Sequence, residues 1–573
     1  MQVRGVFVQL QPLILQIKND HARRRRNKID ESMSITILNT NNTEASTCEL
    51  NGQFIHSQLL IDVFVRMKVI ETDKNELITL CKQYYSGNEY QLDIISQFEK
   101  DYEADHALWW YTRDSFLYRL LNKALRVQNI DLLFLFRFFI RDIQVRLDQL
   151  KCLSVVSVYR SQLLSDKELT MLKNSVGRLI SMNSFISTTR NRELALFMLG
   201  DSEVPSHNLK RVLFEIEADP QQAGSKYFAD ITCESSFIDE EEVLIMFGSI
   251  FRIKKVYCDK NGIWIVQIVL CTNSDEELKV IYNYLKKEYG GGDEETDLLC
   301  AGTVIRRMGH SDQAEKYFLR LLSQLPHDHH YLSSCYYNLA IVANDKGQYD
   351  TSLELHHRSL DIKKRIFPQN DPAVGESYNS IGHVYREKFQ YAQAYEFYNM
   401  ALEIWEKSLG IEHPKVAISY QNIGIVLGKQ KKYPAERRHH EKALAIRKKL
   451  LPAEHPELAD SYHYIGNTYF SEGVYNTALV SFEKSLEIYR ASLPSQHPSI
   501  ARTHSRIGLI YTKQRKFDDA LVHYKQAASI YSSVLPPGHH KTLEVQKEIE
   551  LILTRRSGSA SSASFRRKND KNK

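Results

Sequence analysis

The sequence predicts an α+β domain over residues 51–272, followed by an all-α solenoid of repeated helix pairs over residues 295–553. Apolar residues follow helical spacing up to Lys151, and short segments with the alternating pattern of strands come after it. Helices that precede strands, rather than alternate with them, are typical of an α+β domain. The solenoid is predicted by a pattern that recurs every 42 residues between Gly382 and Gly508.

The composition narrows the classes of function. A net charge of +5 over 573 residues is too small for the positive field of a nucleic-acid-binding protein, so we expect no nucleic-acid partner. Eight cysteines without a CxxC pair are typical of a reduced, intracellular protein. Residues 1–17 lack a cleavage site for a signal peptide, and the apolar run 131–140 is about half the length of a spanning helix. We therefore expect a cytoplasmic protein without a membrane span.

The elements of the α+β domain are predicted in chain order. Residues 1–50 pass from the basic cluster Arg23–Arg26 into a polar stretch, and we expect this segment to be poorly ordered. A solvated linker is favoured for the cluster, with nuclear import or binding to anionic lipid left open. Helices are predicted over 104–127, 131–150 and 165–180. Strands are predicted at 154–159, ending at Arg160, and at 185–188, 209–217, 243–247 and 262–270.

The second half of the chain consists of repeats, after a predicted linker at 273–294. Glycines and prolines keep the same 42-residue step: Gly382, Gly424, Gly466 and Gly508, with Pro372, Pro414, Pro456 and Pro498. Within one unit, Tyr462, Gly466, Tyr469, Ala478 and Phe482 occur in an order that resembles the tetratricopeptide repeat. The eight residues added to the usual unit resemble the kinesin-light-chain type. About six units are predicted from residue 295, and the tail 554–573 is expected to be disordered.

Two features of the repeats bear on binding. The histidines that precede the prolines, such as His455, are interpreted as turn residues before a helix and not as metal ligands, so no metal is predicted. The unit that begins near residue 417 departs from the pattern, with Glu436 and His440 where the small and aromatic residues are expected. Because a stacked solenoid has a concave face, we expect the repeats to bind a peptide or protein ligand there.

The first half contains a motif that carries chemistry. Arg160, Ser187 and Glu242 occur in the frames VYR, SFISTT and EEEVLI, each at or near a predicted strand. Together with the upstream segments Trp110–Thr112 and Leu121–Arg126, these frames resemble the Arg–Ser–Glu motif of arginine-specific mono-ADP-ribosyltransferases. The resemblance covers residues 100–270 and implies an ADP-ribosyltransferase fold. It further implies NAD as the substrate, with NADP left open, and an acceptor protein with an exposed arginine.

The resemblance assigns a role to each motif residue. Glu242 is expected to stabilise the cation that forms when the nicotinamide–ribose bond breaks and to hold a ribose hydroxyl. The guanidinium of Arg160 is expected to bind an NAD phosphate, and Ser187 is expected to orient Glu242. Ser161 and Thr188, the neighbours of Arg160 and Ser187, are expected to line the NAD site.

The residues before Glu242 are expected to select the acceptor. In the resembled family, a glutamate two positions before the catalytic one accompanies arginine as the acceptor, and Glu240 stands there. Since alternate residues of a strand point to one side, we expect Glu240 and Glu242 to face one cleft and Glu241 to face away. The loop 228–239 is expected to recognise the acceptor, with Phe237 as a contact.

One departure from the family pattern keeps other functions open. Many relatives have glycine directly after the motif arginine, whereas this chain has Ser161, and NAD affinity is the property that this change affects. Two alternatives therefore remain beside the transferase. One is a non-catalytic scaffold or adaptor with an inactive transferase domain, and the other is an NAD glycohydrolase with water as the acceptor.

Overall fold

The computed structural model describes residues 35–38, 47–68, 71–113, 115–199, 209–220, 228–237, 240–271, 283, 286–287, 294–326, 329, 331–493, 495, 497–534 and 540–569. The described chain forms two compact units, which divide between Gln324 and Leu325. We call them the sheet unit and the repeat unit. The Arg23–Arg26 cluster and most of the predicted linker at 273–294 lie outside the described residues.

The sheet unit begins with one strand and six helices. Their bounds are β1 Ile35–Leu38, α1 Thr47–Arg66, α2 Glu71–Tyr84, α3 Glu89–Asp101, α4 Ala107–Thr112, α5 Phe116–Arg126 and α6 Ile130–Gln149. The predicted helices 104–127 and 131–150 correspond to α4 to α6, and Phe134, Phe138 and Leu147 of α6 are buried. Arg137, which interrupts the apolar run, is also buried and forms an ion pair with Asp73 of α2. That partner explains how a charge is accommodated inside this layer of helices.

A nine-stranded mixed sheet forms the rest of the unit. Two short helices lie between its strands, α7 Asp166–Lys173 and α8 Arg192–Met198. The strands follow the order β1-β3-β8-β9-β5-β2-β4-β7-β6, and only β5 and β9 run parallel. The remaining bounds are β2 Val156–Ser165, β3 Leu179–Met182, β4 Ile186–Thr189, β5 Leu209–Ala218, β6 Phe228–Asp230, β7 Glu242–Ile245, β8 Ser249–Cys258 and β9 Trp264–Cys271. As the alternation of β5 predicts, Val212, Phe214 and Ile216 share one buried cluster.

Several predicted bounds in the sheet are wrong. Arg160 lies in the middle of the ten-residue strand β2, not at the end of a shorter one. The helix predicted over 165–180 ends at Lys173, because β3 follows and pairs with β1 and β8. The sequence does not predict strands β1, β3, β6 and β8, and β6 lies at the start of the predicted loop 228–239. Their positions depend on pairing with distant strands, which local sequence patterns do not report.

The helix pair that we counted as the first repeat lies in the sheet unit. It consists of α9 Leu298–Arg307 and α10 Ser311–Gln324. Tyr317 packs against Phe64 and Phe134, with ring centroids 6.1 and 5.2 Å apart. Arg320 forms a two-contact ion pair with Glu76 of α2. These contacts place the end of the first compact unit after α10, about one helix pair beyond the predicted linker.

The repeat unit is a series of antiparallel helix pairs followed by one further helix. The bounds are α11 Tyr331–Asp345, α12 Tyr349–Ile366, α13 Pro372–Glu387, α14 Tyr391–Leu409, α15 Pro414–Lys429, α16 Tyr433–Leu450, α17 Pro456–Ser471, α18 Tyr475–Ser492, α19 Pro498–Lys513, α20 Phe517–Val534 and α21 His540–Asn569. Among the described residues, no helix has both the length and the apolar character needed to cross a bilayer.

The repeated glycines and histidines have the predicted structural roles. A Cβ atom added at Gly466 would lie 3.0 Å from the ring of Phe482 on the paired helix. Glycine therefore permits the close approach of the two helices. The ring nitrogen Nδ1 of His455 accepts a hydrogen bond from the amide of Glu457, and His413 and His497 cap their helices in the same way. The interpretation as turn residues before a helix-starting proline is confirmed.

Both chain ends contain more regular structure than the sequence predicts. Within the segment 1–50, residues 35–38 form β1 and α1 begins at Thr47. Within the tail 554–573, α21 continues to Asn569. Strand β1 is explained by its pairing with β3, where Ile35 lies opposite Met182. Composition alone predicts neither the pairing of a strand with a distant strand nor the continuation of a helix that has already formed.

Candidate active site

The three motif residues lie on three neighbouring strands. Arg160 is on β2, Ser187 on β4 and Glu242 at the first position of β7, and β4 lies between the other two strands. Residues 160 and 242 are far apart in sequence, so only the sheet brings them together. Strands β2 and β4 pair at one position, Tyr159 opposite Thr189. A cleft of about 390 Å³ opens beside this junction.

Both carboxylate oxygens of Glu242 accept hydrogen bonds from serines. Ser187 Oγ donates to Oε1 at 2.5 Å, and Ser235 Oγ donates to Oε2 at 2.8 Å. Glu242 is only 4% exposed, so the two hydroxyls replace most of the water that would otherwise solvate the carboxylate. The carboxylate is therefore fixed in one orientation, as a group that acts by electrostatic stabilisation requires.

Arg160 is held by the strand that carries Ser187. Its Nη1 donates to the backbone carbonyl of Ser187 at 2.8 Å, and its Nη2 approaches Gln162 Oε1 at 3.4 Å. Its Nε–H group is buried, and no described residue accepts a hydrogen bond from it. A guanidinium that is held in place on the lining of a cleft is suited to bind an oxyanion.

Glu240 and Glu241 occupy different surroundings. Strand β7 begins only at Glu242, so the strand alternation that we used to place these residues does not apply. Glu241 instead has a left-handed backbone conformation with φ of +46°. Glu240 lines the cleft of Arg160 and Ser187, while Glu241 lines a separate depression beside Arg190. The buried Glu242 is not among the residues that line the cleft, so the prediction that Glu240 and Glu242 both face it is wrong for Glu242. Burial and the nearby Glu242 raise the pKa of Glu240.

The lining of the cleft combines polar and aromatic groups. The predicted residues Ser161 and Thr188 lie on it, although Thr188 also donates to the carbonyl of Val243 across the strand pair. Sequence reasoning missed several lining residues, because aromatic side chains on a helix and a strand are as common in cores as in sites. The other lining residues are Tyr118, Tyr159, Gln162, Thr189, Ala195 and Met198.

The predicted acceptor loop is described in part, since residues 238 and 239 lie outside the described residues. Phe237 is 45% exposed and does not line the cleft, but its amide donates to Ser235 Oγ at 3.1 Å. The amide of Ser236 donates to Thr112 Oγ1 at 2.9 Å. Thr112 belongs to the upstream segment Trp110–Thr112, and this contact joins that segment to the predicted acceptor loop.

Comparisons with known proteins define the class of the repeat unit. Residues 332–373, 374–449 and 454–547 match sequence models described as tetratricopeptide repeat. The prediction from the 42-residue step is confirmed: the repeat unit consists of tetratricopeptide repeats. The matched ranges begin at residue 332, so the identity of the sheet unit remains a proposal.

Two solved structures show limited similarity to part of the chain. One is BtubC (BKLC) from P. vanneervenii, with 20% identity, coverage of 41% of this chain and 94% of the other, and a TM-score of 0.35. Another is a putative kinesin light chain from Podosopora anserina with nearly identical TPR-like repeats, with 22% identity, coverage of 36% and 98%, and a TM-score of 0.32. At these TM-scores the similarities carry no further inference. No curated protein shows significant similarity to the chain.

Proposed function

We propose that the sheet unit is an NAD–protein-arginine ADP-ribosyltransferase. One observation carries the proposal: three residues from separate sequence frames lie on adjacent strands and contact one another. The Ser187 hydroxyl donates a hydrogen bond to Glu242, and Arg160 donates one to the Ser187 carbonyl. Any one of these residues could be structural. Their convergence beside a cleft that also holds Glu240 favours a site.

The chemistry that this arrangement supports begins with NAD cleavage. The bond between ribose C1′ and the nicotinamide nitrogen breaks, and its electron pair leaves with nicotinamide, which becomes neutral. Positive charge develops on C1′ and the ring oxygen, as in other glycosyl transfers. The fixed carboxylate of Glu242 stabilises that charge without having to reorient. The Arg160 guanidinium, which lines the cleft, binds an NAD phosphate, and Ser161 and Thr188 line the same cleft.

Glu240 serves the second half of the reaction. A guanidinium has a pKa above ~12 and is a poor nucleophile while it keeps all its protons. As one of its nitrogens forms the bond to C1′, that nitrogen loses a proton to the Glu240 carboxylate. The raised pKa of Glu240 favours this role, because a stronger base takes up the proton more readily. Phe237, which is exposed nearby in sequence, contacts the acceptor protein.

The tetratricopeptide repeats supply protein recognition. Their concave face binds a peptide or protein ligand, and we propose that this ligand is the acceptor or an assembly that contains it. The repeats thereby raise the local concentration of acceptor at the sheet unit.

A non-catalytic scaffold is the second candidate, and the comparisons favour it because both matched families are confined to the repeats. Ser161, in the place of the family glycine, also favours it. In this function the repeats bind a partner, and the sheet unit is a second docking domain without NAD chemistry.

Incubation of the full chain with labelled NAD and an arginine-rich protein separates these functions. Labelled arginine that forms with the wild type and does not form with the Glu242→Ala variant supports the transferase. Free nicotinamide without label on protein indicates an NAD glycohydrolase. If neither product forms while the repeats still bind a protein partner, the result indicates the scaffold.

A further inference from the structure

Ser235 lies in the segment Ile231–Phe237, before β7, and its hydroxyl contacts the proposed catalytic carboxylate. Ser235 is 4% exposed, and its Oγ donates to Glu242 Oε2 at 2.8 Å. The other carboxylate oxygen is held by Ser187. Two serines from different parts of the chain therefore share one carboxylate, and the motif comparison assigned a role to only one of them.

The backbone around Ser235 is tied to the same glutamate. The Ser235 amide donates to the Ile231 carbonyl at 2.8 Å, and the Ile231 amide donates to the Glu242 carbonyl at 2.9 Å. The hydroxyl of Ser235 also accepts a hydrogen bond from the amide of Phe237. A shift of Phe237 would therefore be transmitted to Ser235 and, through one hydrogen bond, to the Glu242 carboxylate.

Two helices brace this segment from outside. Arg146 of α6 forms a two-contact ion pair with Glu234, and Thr112 of α4 accepts from the Ser236 amide at 2.9 Å. The two sequence neighbours of Ser235, Glu234 and Ser236, are therefore both held by contacts to helices. A hydroxyl held this firmly loses little conformational freedom when it orients a carboxylate.

We infer that Ser235 is a positioning residue, which holds the Glu242 carboxylate in its reactive orientation and couples it to the acceptor-side residue Phe237. The inference rests on the proposed function. Ser235 thereby supplies a second hydroxyl to the site, and the rate of NAD cleavage depends on whether an acceptor protein contacts Phe237. Ser235 touches no reacting atom itself and acts only through Glu242.

The test compares neighbouring serines. Within the parts of the chain that the structure describes, the Ser236 hydroxyl is buried and has no hydrogen-bond partner, so Ser236→Ala is a matched control for Ser235→Ala. We expect Ser235→Ala to lower kcat for nicotinamide release by about 10- to 100-fold with less than about a threefold change in KM for NAD, because orientation is used in the transition state. Ser235→Thr, which keeps the hydroxyl, should recover most of kcat. Ser236→Ala should match the wild type.

The possible outcomes separate this inference from the proposed function. A wild-type chain that releases no nicotinamide overturns the function, and the inference with it. An active wild type in which Ser235→Ala and Ser236→Ala behave alike overturns the inference alone. Two further results overturn the inference, because a merely structural role would give them. One is a loss of kcat in Ser235→Ala that Ser235→Thr does not recover. The other is a change in KM for NAD with kcat unchanged.

Discussion

Ser187 and Glu242 are diagonal neighbours on adjacent strands and are joined by a hydrogen bond of 2.5 Å. The register explains the contact. Ser187 lies opposite Leu244, and Glu242 is two residues from Leu244 on the same strand, so both side chains point to one face. Diagonal pairs of this kind are within reach of long side chains. A shift of one residue in the pairing would place Ser187 opposite Val243 and turn the glutamate to the other face.

Replacing Glu242 should abolish NAD cleavage. We expect Glu242→Gln to lower kcat for nicotinamide release by at least about 100-fold, because the amide lacks the charge that stabilises the developing cation. Glu241→Gln is the matched control, since Glu241 is exposed and lies on a separate depression. Equal rates in the two variants would contradict the role given to Glu242. Release of nicotinamide from labelled NAD measures both.

Replacing Glu240 should separate transfer from cleavage. We expect Glu240→Gln to lose most transfer to arginine while nicotinamide release continues with water as the acceptor, because only transfer needs the base. Labelled arginine and free nicotinamide are measured in the same reaction. Parallel loss of both products would show that Glu240 acts in NAD cleavage and not on the acceptor.

The raised pKa of Glu240 also predicts a pH dependence. The folded protein takes up a proton at this site at a higher pH than the unfolded chain does, so ionised Glu240 lowers the free energy of unfolding as pH rises through its folded pKa. We expect Glu240→Gln to raise Tm slightly at pH 7, with the difference disappearing below the ordinary pKa of a glutamate. A lower Tm for the variant at pH 7 would contradict this sign.

His356 should make the repeat unit sensitive to acid. It occupies the position that Phe482 has in another repeat and is 1% exposed, and its Nδ1 has no hydrogen-bond partner among the described residues. Burial, with the nearby charges of Lys363, His357 and His383, lowers its pKa to about 3. The unfolded chain takes up this proton near pH 6.5 and the folded one does not, so stability falls as pH drops below 6.5.

The variant His356→Phe tests that dependence. Between pH 6.5 and 5 the native imidazole is expected to reduce the unfolding free energy by about 2 kcal/mol, at ~1.4 kcal/mol per pH unit. His356→Phe should remove that part of the slope, measured by denaturant unfolding at each pH. His357→Gln, at an exposed position, should keep it. An unchanged slope in His356→Phe would show that this histidine is not the group responsible.

The end of the sheet unit predicts which fragment folds. A fragment that ends after Gln324 keeps α9 and α10 and should unfold cooperatively. One that ends at residue 293 exposes the aromatic contacts of Phe64 and Phe134 and should be less stable or aggregate. In the longer fragment, Tyr317→Ala should cost about 3 kcal/mol, because Tyr317 is buried between those rings. Equal melting temperatures of the two fragments would contradict this boundary.

The repeat unit was predictable because each of its helices packs mainly on its sequence neighbours. A recurring glycine indicates a close approach of two helices, because that contact is made within one repeat. Gly466, for example, packs against Phe482 of the same repeat. The exception is instructive. The Cβ of an alanine at Gly424 would lie 2.6 Å from His440, so the helix pair keeps its close approach even where histidine replaces the aromatic residue.

The sequence by itself predicted the three motif residues of the proposed site, because Arg160, Ser187 and Glu242 each stand in a recognisable local frame. The tertiary structure decided how they meet, because the pairing of β4 with β7 and the order of nine strands depend on contacts between distant segments. It also decided that Glu240 reaches the cleft through the left-handed turn at Glu241, and that Ser235 joins the carboxylate. Local patterns carry strand periodicity, but register and loop geometry arise only when the sheet is assembled.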